Sequence, residues 1–349
     1  MLILFWSTDM TYFAILWKNK EISLAELKLV KPTNLVEFTD IIILFDTENS
    51  ERLSELWWVI KWGEIVEEEW LKNALEWQKI LGTKDKDFWI RLKKKYWIKR
   101  FKLVDLFKTD KEVKNKWIEV VKLKDKYWIV KWYQNIWLYE EIDFGKPSRS
   151  MKMWMMPAKF THIMLNIWLW ICKKNPISIY DPFVWSGTTW FLANHFWYDF
   201  FWSDIDIQHL EKNTIWWMKD SLHTDKKFEI FQHDITKEIP NWSLQWNILV
   251  VSEWWLWPIV TDRATAQDVS KYQNQVRDLY KKFITTISKT RESYSTKAVF
   301  TIPYYMNQSN FLEQEIKTWS STFGWKMSSI DEVYSRENQK VWRKIVVLE

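Results

Sequence analysis

Four short stretches in the C-terminal half place polar side chains where an apolar, β-prone run gives way to a turn. They are Asp181-Pro-Phe-Val-Trp-Ser-Gly-Thr188, Ser203-Asp-Ile-Asp206, Gln232-His-Asp-Ile235 and Ser252-Glu-Trp-Trp255. In open α/β sheets, ligands bind outside the carboxyl ends of the strands, so residues in such places share one edge. Asp181, Pro182, Phe183, Ser186, Gly187 and Thr188 make a turn that opens a helix. Small residues there let backbone N–H groups approach a cofactor, and the helix N-terminus favours a carboxylate or phosphate. Asp204, followed by Ile205, is placed to bind two ribose hydroxyls, as an acid does in dinucleotide folds. Asp234, followed by Ile235, is placed to accept from an adenine amino group. One such acid is an ordinary solvated turn residue; three in register with the turn imply a nucleoside cofactor.

The centre of that first turn holds Trp185, the bulkiest side chain available, where backbone must come close to a ligand. Composition sharpens the problem. A chain of 349 residues ordinarily carries roughly two dozen glycines, yet this one has 5 Gly and 30 Trp. Tandem Trp-Trp occurs at Trp57, Trp216 and Trp254, where Gly-Gly would be a common turn dipeptide. Holding a non-glycine residue at left-handed angles costs roughly 1–2 kcal/mol. A dozen such positions would consume on the order of 10–20 kcal/mol, as much as a whole domain's stability of about 5–15 kcal/mol. The sequence therefore reads as the product of a gene in which UGA encodes glycine, written with a table that assigns UGA to tryptophan. The alternative is a chain truly rich in Trp. Read with glycine, position 185 needs no side chain, and Trp197, just past a helix end, occupies a left-handed helix terminus.

The elements that position these residues follow from periodicity. From Ile177 onward the pattern is strand, turn, helix, repeated, from "ISIYDPF" through the long helix "QDVSKYQNQVRDLYKKFITTISK" to "KVWRKIVVLE". That alternation predicts a mostly parallel sheet with helices on both faces, and "VYSRENQKVWRKIVVL" closes it as a terminal hairpin. Ahead of it, "KFTHIMLNIWLWIC" sets Phe160, Ile163, Met164, Ile167 and Ile171 on one helical stripe that packs on a core.

Residues 1 to about 145 read as short strands and helices in two small α+β units. Ser23 and Glu26 form a capping box for a helix "LAELKLV", "SERLSELWWV" reads as a helix, and "EEWLKNALEWQKIL" has helical periodicity. "IEVVKLKDKYWIVKWY" alternates like a hairpin turning near residues 124–126. Between them "FWIRLKKKYWIKRFK" carries Arg91, Lys93, Lys94, Lys95, Lys99, Arg100 and Lys102 with no acid and with aromatics interleaved. Such a run neutralises nucleic-acid phosphates, and a solvated helix face explains it equally well.

Bulk properties are those of a soluble enzyme of two or three domains. The net charge of +5 permits a polyanionic partner. A single Cys172 excludes an internal disulfide framework and suits a reducing cytoplasm. The apolar N-terminus lacks a basic leader and is broken by Asp9, which favours a strand over a signal peptide. "IMLNIWLWIC" is too short to span a bilayer, and 5 His with one Cys show no metal-ligand spacing.

The run "GKPSRSMKMWMMPAKFTHIMLNI", followed by "DPFVWSGTT" and "WSDID", resembles the THUMP-containing, S-adenosylmethionine-dependent tRNA (guanine-10-N2)-methyltransferases. "ILWKNKEISLAEL" is similar to that family's opening, with glycine in place of Trp17. The resemblance covers most of the chain. It implies a ferredoxin-like α+β domain over 1–66, a THUMP-like RNA-binding domain over 67–145, a linker over 146–158 and a Rossmann-like methyltransferase domain over 159–349. It implies that Asp181, Phe183, Ser186 and Gly187 line S-adenosylmethionine, with Asp204 on its ribose and Asp234 near its adenine; Met156 and Pro157 border the same pocket.

The fourth strand end departs from the family, whose members carry Asp, Asn or Ser followed by Pro-Pro-aromatic. Here Ser252 fits the first position and Glu253 is a further amine acceptor, but Trp254 and Trp255 stand where prolines or an aromatic platform belong. Trp255 stacks on a base if it is encoded as Trp, and the platform is lost if it stands for glycine. The implied activity is N2-methylation of a tRNA guanine, with Lys93, Lys94, Lys95, Lys99 and Arg100 as RNA contacts and no metal. Two alternatives share these residues: an amino-methyltransferase acting on another RNA position or on adenine in DNA, and a non-catalytic RNA-binding protein with a decayed pocket. The sequence names no activating protein partner.

Overall fold

The computed structural model describes all residues except 1–10, 18, 57, 68, 72, 74–78, 84–85, 96–100, 105–116, 124–125, 146–155, 172–177, 186, 209–227, 241–246, 253–264, 306–311, 332 and 336–340. The chain divides into two compact units, Met1–Ile136 and Trp137–Glu349.

The first unit runs β1 (Tyr12–Leu16), α1 (Lys20–Leu27), β2 (Thr33–Thr39), β3 (Ile42–Asp46), β4 (Val59–Val66), β5 (Lys79–Thr83), α2 (Lys86–Lys95), β6 (Phe101–Val104), β7 (Trp117–Leu123) and β8 (Lys126–Tyr133). Its strands form one eight-stranded sheet in the order β2-β3-β1-β4-β8-β7-β5-β6. Alternating apolar residues give it a core face, where Phe13, Ile15, Ile42, Leu44, Ile60, Val121 and Trp128 cluster. Gly63 on β4 is a glycine whose lack of a side chain is required, since a Cβ there would lie 2.1 Å from the Ile129 carbonyl oxygen. Across β4, β7 and β8, Lys61 Nζ sits 3.0 Å from Glu119 Oε1, and Tyr133 Oη donates to Glu119 Oε2 at 2.6 Å, with both charged side chains fully buried.

Three expectations in this unit meet the structure differently. The β7–β8 hairpin pairs Leu123 with Lys126, as the alternation predicts. The helix α1 opens at Lys20, three residues before the expected cap. Glu26 is buried and accepts from the Trp58 backbone N–H at 2.6 Å, so its carboxylate serves a long-range contact instead of a capping box. The stretch expected to be helical through residue 81 becomes strand at Lys79, because β5 pairs in parallel with both β6 and β7 and tertiary pairing overrides helical spacing. Ser50–Glu55 is a short 3₁₀ turn where a longer helix was expected.

The second unit runs α3 (Ile136–Phe144, all but its first residue), α4 (Ala158–Ile171), β9 (Ser178–Asp181), α5 (Thr188–His195), β10 (Asp199–Asp204), β11 (Phe228–Gln232), β12 (Asn247–Ser252), α6 (Ala266–Ser293), β13 (Ser295–Tyr305), α7 (Glu313–Thr322), β14 (Met327–Ser329) and β15 (Val341–Leu348). The sheet order is β11-β10-β9-β12-β13-β15-β14. The first five strands are parallel, and β15 lies antiparallel to β13 and β14. This is a Rossmann-like α/β sheet, and its order reverses between β9 and β12, the switch point at which such folds place a ligand. Of the expected terminal hairpin, β15 is present, while residue 334 contributes a single bridge to Arg343 and the fuller partner is β14. The core lies between the sheet and α6, where Tyr180, Val250, Tyr280, Phe283, Ile287 and Phe300 are buried together. The helix α6 opens with a capping box between Thr265 and Asp268.

Candidate functional site

The switch point brings the ends of β9, β10 and β12 together. Asp181 closes β9, and its Oδ1 accepts from the Phe183 backbone N–H and from Ser252 Oγ on β12, each at 3.0 Å. The Thr189 side chain, in the first turn of α5, also bonds it. Asp181 and Ser252 are both buried, at 5 % and 0 % exposure. Burial pushes the Asp181 carboxyl up to about 6, against the opposing pull of those three hydrogen bonds, and the Asp204 carboxylate raises it further.

The turn after β9 hangs on β10. Val184 N–H donates to the Ser203 carbonyl at 3.2 Å, and Trp185 N–H donates to Asp204 Oδ2 at 3.2 Å. Asp206 N–H takes the other oxygen, Oδ1, at 3.1 Å. To reach Asp204 the chain turns left-handed at Trp185, with φ 46°, and again at Gly187, with φ 75°. Only glycine adopts that region without steric cost. At the next strand end Asp234 Oδ1 accepts from the backbone and side chain of Thr236, at 3.0 and 2.8 Å. Partial burial raises its carboxyl, and the two Thr236 bonds with Lys237 and His233 more than offset that and hold it below the usual range.

The structure gathers Asp181, Pro182, Phe183, Trp185, Gly187, Thr188, Asp204 and Ile205 around one edge. Ile205 is 67 % exposed there. Ile235 points into the apolar core, while Asp234 stays partly exposed. Met156 and Pro157 are buried at the start of α4, and the Pro157 carbonyl accepts from the Phe160 and Thr161 N–H groups. Ser186, Glu253, Trp254 and Trp255 lie outside the described residues. In the first unit Lys93, Lys94 and Lys95 form the exposed last turn of α2, and Lys99 and Arg100 lie outside the described residues. Sequence reading missed Thr189 and the Ser203 hydroxyl, which meets Tyr180 Oη at 2.8 Å; a hydroxyl residue in the first helical turn after an Asp-Pro turn was the signal for Thr189.

Trp197 ends α5 in the same left-handed region, with φ 65°. Its N–H donates to the Asn194 carbonyl and the Tyr198 N–H to the Ala193 carbonyl, both at 2.9 Å. That is a Schellman cap, in which glycine is the usual residue at this position. Helix α7 ends in the same motif: Gly324, with φ 73°, donates to Ser321 and Trp325 to Ser320. One protein thus uses glycine and Trp for one backbone geometry. Nearby, Trp190 on α5 and Trp202 on β10 stack at 4.5 Å, with no acceptor for either indole N–H among the described residues.

Among the described residues no group of His, Cys, Asp or Glu is arranged to hold a metal ion, and no helix is long and apolar enough to cross a membrane. No protein-family model matches the sequence, and no curated protein matches it. Solved structures do. TrmN from Thermus thermophilus aligns with 98 % of this chain and 100 % of its own, at 11 % identity and a TM-score of 0.47. A methyltransferase from Pyrococcus furiosus covers 61 % of this chain and 94 % of its own, at 10 % identity and a TM-score of 0.37. A TehB-like SAM-dependent methyltransferase from Corynebacterium glutamicum covers 51 % and 83 %, at 11 % identity and a TM-score of 0.31.

Proposed function

We propose that this protein is an S-adenosylmethionine-dependent methyltransferase that modifies an exocyclic amine in tRNA, the N2 of a guanine, and that its natural chain carries glycine at 185, 197 and other positions written as Trp. The observation that carries the reading is the left-handed turn at 185, whose N–H is bonded to Asp204 at the switch point of a Rossmann-like sheet. The donor set fits a nucleoside. Asp204 presents a carboxylate held by the Trp185 and Asp206 N–H groups, the side-chain type that accepts from ribose hydroxyls. The fit at 185 requires a bare backbone, which is what the backbone angle asks for.

When bound, the cofactor supplies a methyl group activated by a sulfonium. Asp204 would hold the ribose, Asp234 and Ile205 the adenine side, and the turn 183–188 the rest of the nucleoside. An aromatic amine is a weak nucleophile, because its lone pair is delocalised into the ring. Ser252 and Glu253 would accept its N–H bonds and set the nitrogen in line, a positioning effect. The cofactor would supply the methyl group and keep the electron pair of its broken S–C bond on sulfur, and the amine's proton would leave to solvent. The target base must leave its stack to enter. Lys93, Lys94, Lys95, Lys99 and Arg100 would neutralise tRNA phosphates. The domain limits 1–66, 67–145, 146–158 and 159–349, a THUMP-like RNA grip and a cytoplasmic setting belong to the same proposal.

The buried indole N–H groups of Trp62, Trp128, Trp190 and Trp202, which have no acceptor among the described residues, support the recoding. Each buried polar group left unbonded costs about 1–3 kcal/mol. The test is methyl transfer from labelled cofactor by the chain carrying Trp185→Gly and Trp197→Gly. Label in transcribed tRNA, released as N2-methylguanine, is the expected result. Label in duplex DNA alone would reassign the substrate. Absence of cofactor binding by calorimetry would favour an RNA-binding protein without catalysis.

A further inference from the structure

Ser252 and Asp181 lie 71 residues apart in sequence and meet at the two strands that flank the switch point. A serine hydroxyl has one proton and two lone pairs. Here the proton is committed to Asp181 Oδ1 at 3.0 Å. What Ser252 has left for any other partner is lone pairs. We propose that Asp181 is a positioning residue for methyl transfer: by accepting the Ser252 hydroxyl's hydrogen bond it makes that hydroxyl an acceptor only toward other partners, and it ties the cofactor turn to the amine-binding strand end. This rests on reading the site as an amine methyltransferase.

Geometry gives the arrangement its logic. The same carboxylate oxygen that receives Ser252 also receives the Phe183 N–H, so one atom joins β12 to the turn that follows β9. Thr189 holds the carboxylate from α5. An amine N–H needs an acceptor, and a rotating hydroxyl would present its own proton part of the time and repel it. A hydroxyl pinned to a buried carboxylate does not rotate. The bond is a charge-assisted one, stronger than a neutral pair.

The groups facing Asp181 from every packed element fix how it responds to pH. Ser252 on β12, Thr189 on α5 and the Phe183 N–H favour the carboxylate; burial and the Asp204 charge on β10 favour the acid, and the adjacent Tyr180 phenol is raised by its own burial. Protonation near pH 6 would leave Ser252 with no charged acceptor. The acceptor role of Ser252 then fades as pH falls through that value.

The experiment compares the parent chain bearing glycine at 185 and 197 with its Ser252→Ala and Ser252→Thr variants. Three quantities are read: the Asp181 titration midpoint by carboxyl carbon NMR, the single-turnover methylation rate of transcribed tRNA against pH, and cofactor affinity by calorimetry. Ser252→Ala is expected to slow methyl transfer about tenfold or more, the equivalent of one charged hydrogen bond, with cofactor affinity held within about twofold. It should move the Asp181 midpoint and the acid limb of the rate upward together, and Ser252→Thr should restore both. A midpoint and acid limb unmoved by Ser252→Ala overturn the proposal. If the parent methylates no tRNA, the functional reading fails by itself, and the midpoint still decides: an upward move supports the bond to Asp181, and an unmoved one overturns it.

Discussion

A carboxylate buried away from water is a liability to the fold that contains it, and Asp181 shows what the liability is worth. Its carboxyl is raised from 3.8 to about 6, so between those values the folded state binds a proton that the unfolded state does not. Stability therefore falls as pH rises through that window, and the penalty is complete above it. Asp181→Asn keeps an acceptor for Phe183 and Ser252 without the charge. It should raise the unfolding free energy by up to about 3 kcal/mol at about pH 8 and by almost nothing near pH 4. Calorimetric unfolding at the two pH values checks this, and a gain of equal size at both would contradict it. A second pair of variants tests the backbone cost of the left-handed helix terminus. Trp197 is 54 % exposed, and a Cβ at Gly324 would meet nothing within 4 Å. Trp197→Gly should stabilise, and Gly324→Ala destabilise, each by about 1 kcal/mol. Denaturant midpoints of opposite sign are the expected outcome. At this scale the sequence was legible where chemistry depends on near neighbours. Asp181, Asp204, Gly187 and Trp185 announced themselves by type and spacing. The Asp181–Ser252 bond did not, because nothing in either segment records that the strand order reverses between them.

Elements carry the next level of cost. In the first unit Lys61, Glu119 and Tyr133 join β4, β7 and β8 through a fully buried charged pair. Removing one partner strands the other in a low-dielectric interior. Glu119→Ala should cost about 3–5 kcal/mol, while an apolar pair at 61 and 119 should recover most of it. Equal losses in single and double variants would show that the pair itself stabilises the sheet. On α2, Lys93, Lys94 and Lys95 fill one exposed turn. Changing all three to Ala should lower the slope of log affinity against log salt for tRNA by about 2–3. An unchanged slope would make that turn a solvated helix face. The parallel alternation of β9 to β13 was readable, since each strand is an apolar run of its own. The start of β5 was not, because its pairing with β6 and β7 is decided 20 to 40 residues downstream. The expected capping box failed for a related reason: Glu26 was recruited by Trp58, 32 residues away.

For the whole molecule, the left-handed non-glycine residues and the indoles without acceptors point one way. Lys31, at the end of a 3₁₀ turn, and Asn34, at an irregularity in β2, lie in the left-handed region in the first unit, whereas Trp185 and Trp197 bracket α5, the helix that follows the turn after β9. A Trp-rich chain would have to hold an indole at the nucleoside edge; a glycine chain places bare backbone there. The proposed function rests on that difference, since cofactor binding would need the approach that only the second chain allows. The most direct measurement is the mass spectrum of the peptide spanning residues 178–204, from protein purified out of its natural host. Glycine masses at 185 and 197 are the result this account predicts. Tryptophan at 185 would contradict it.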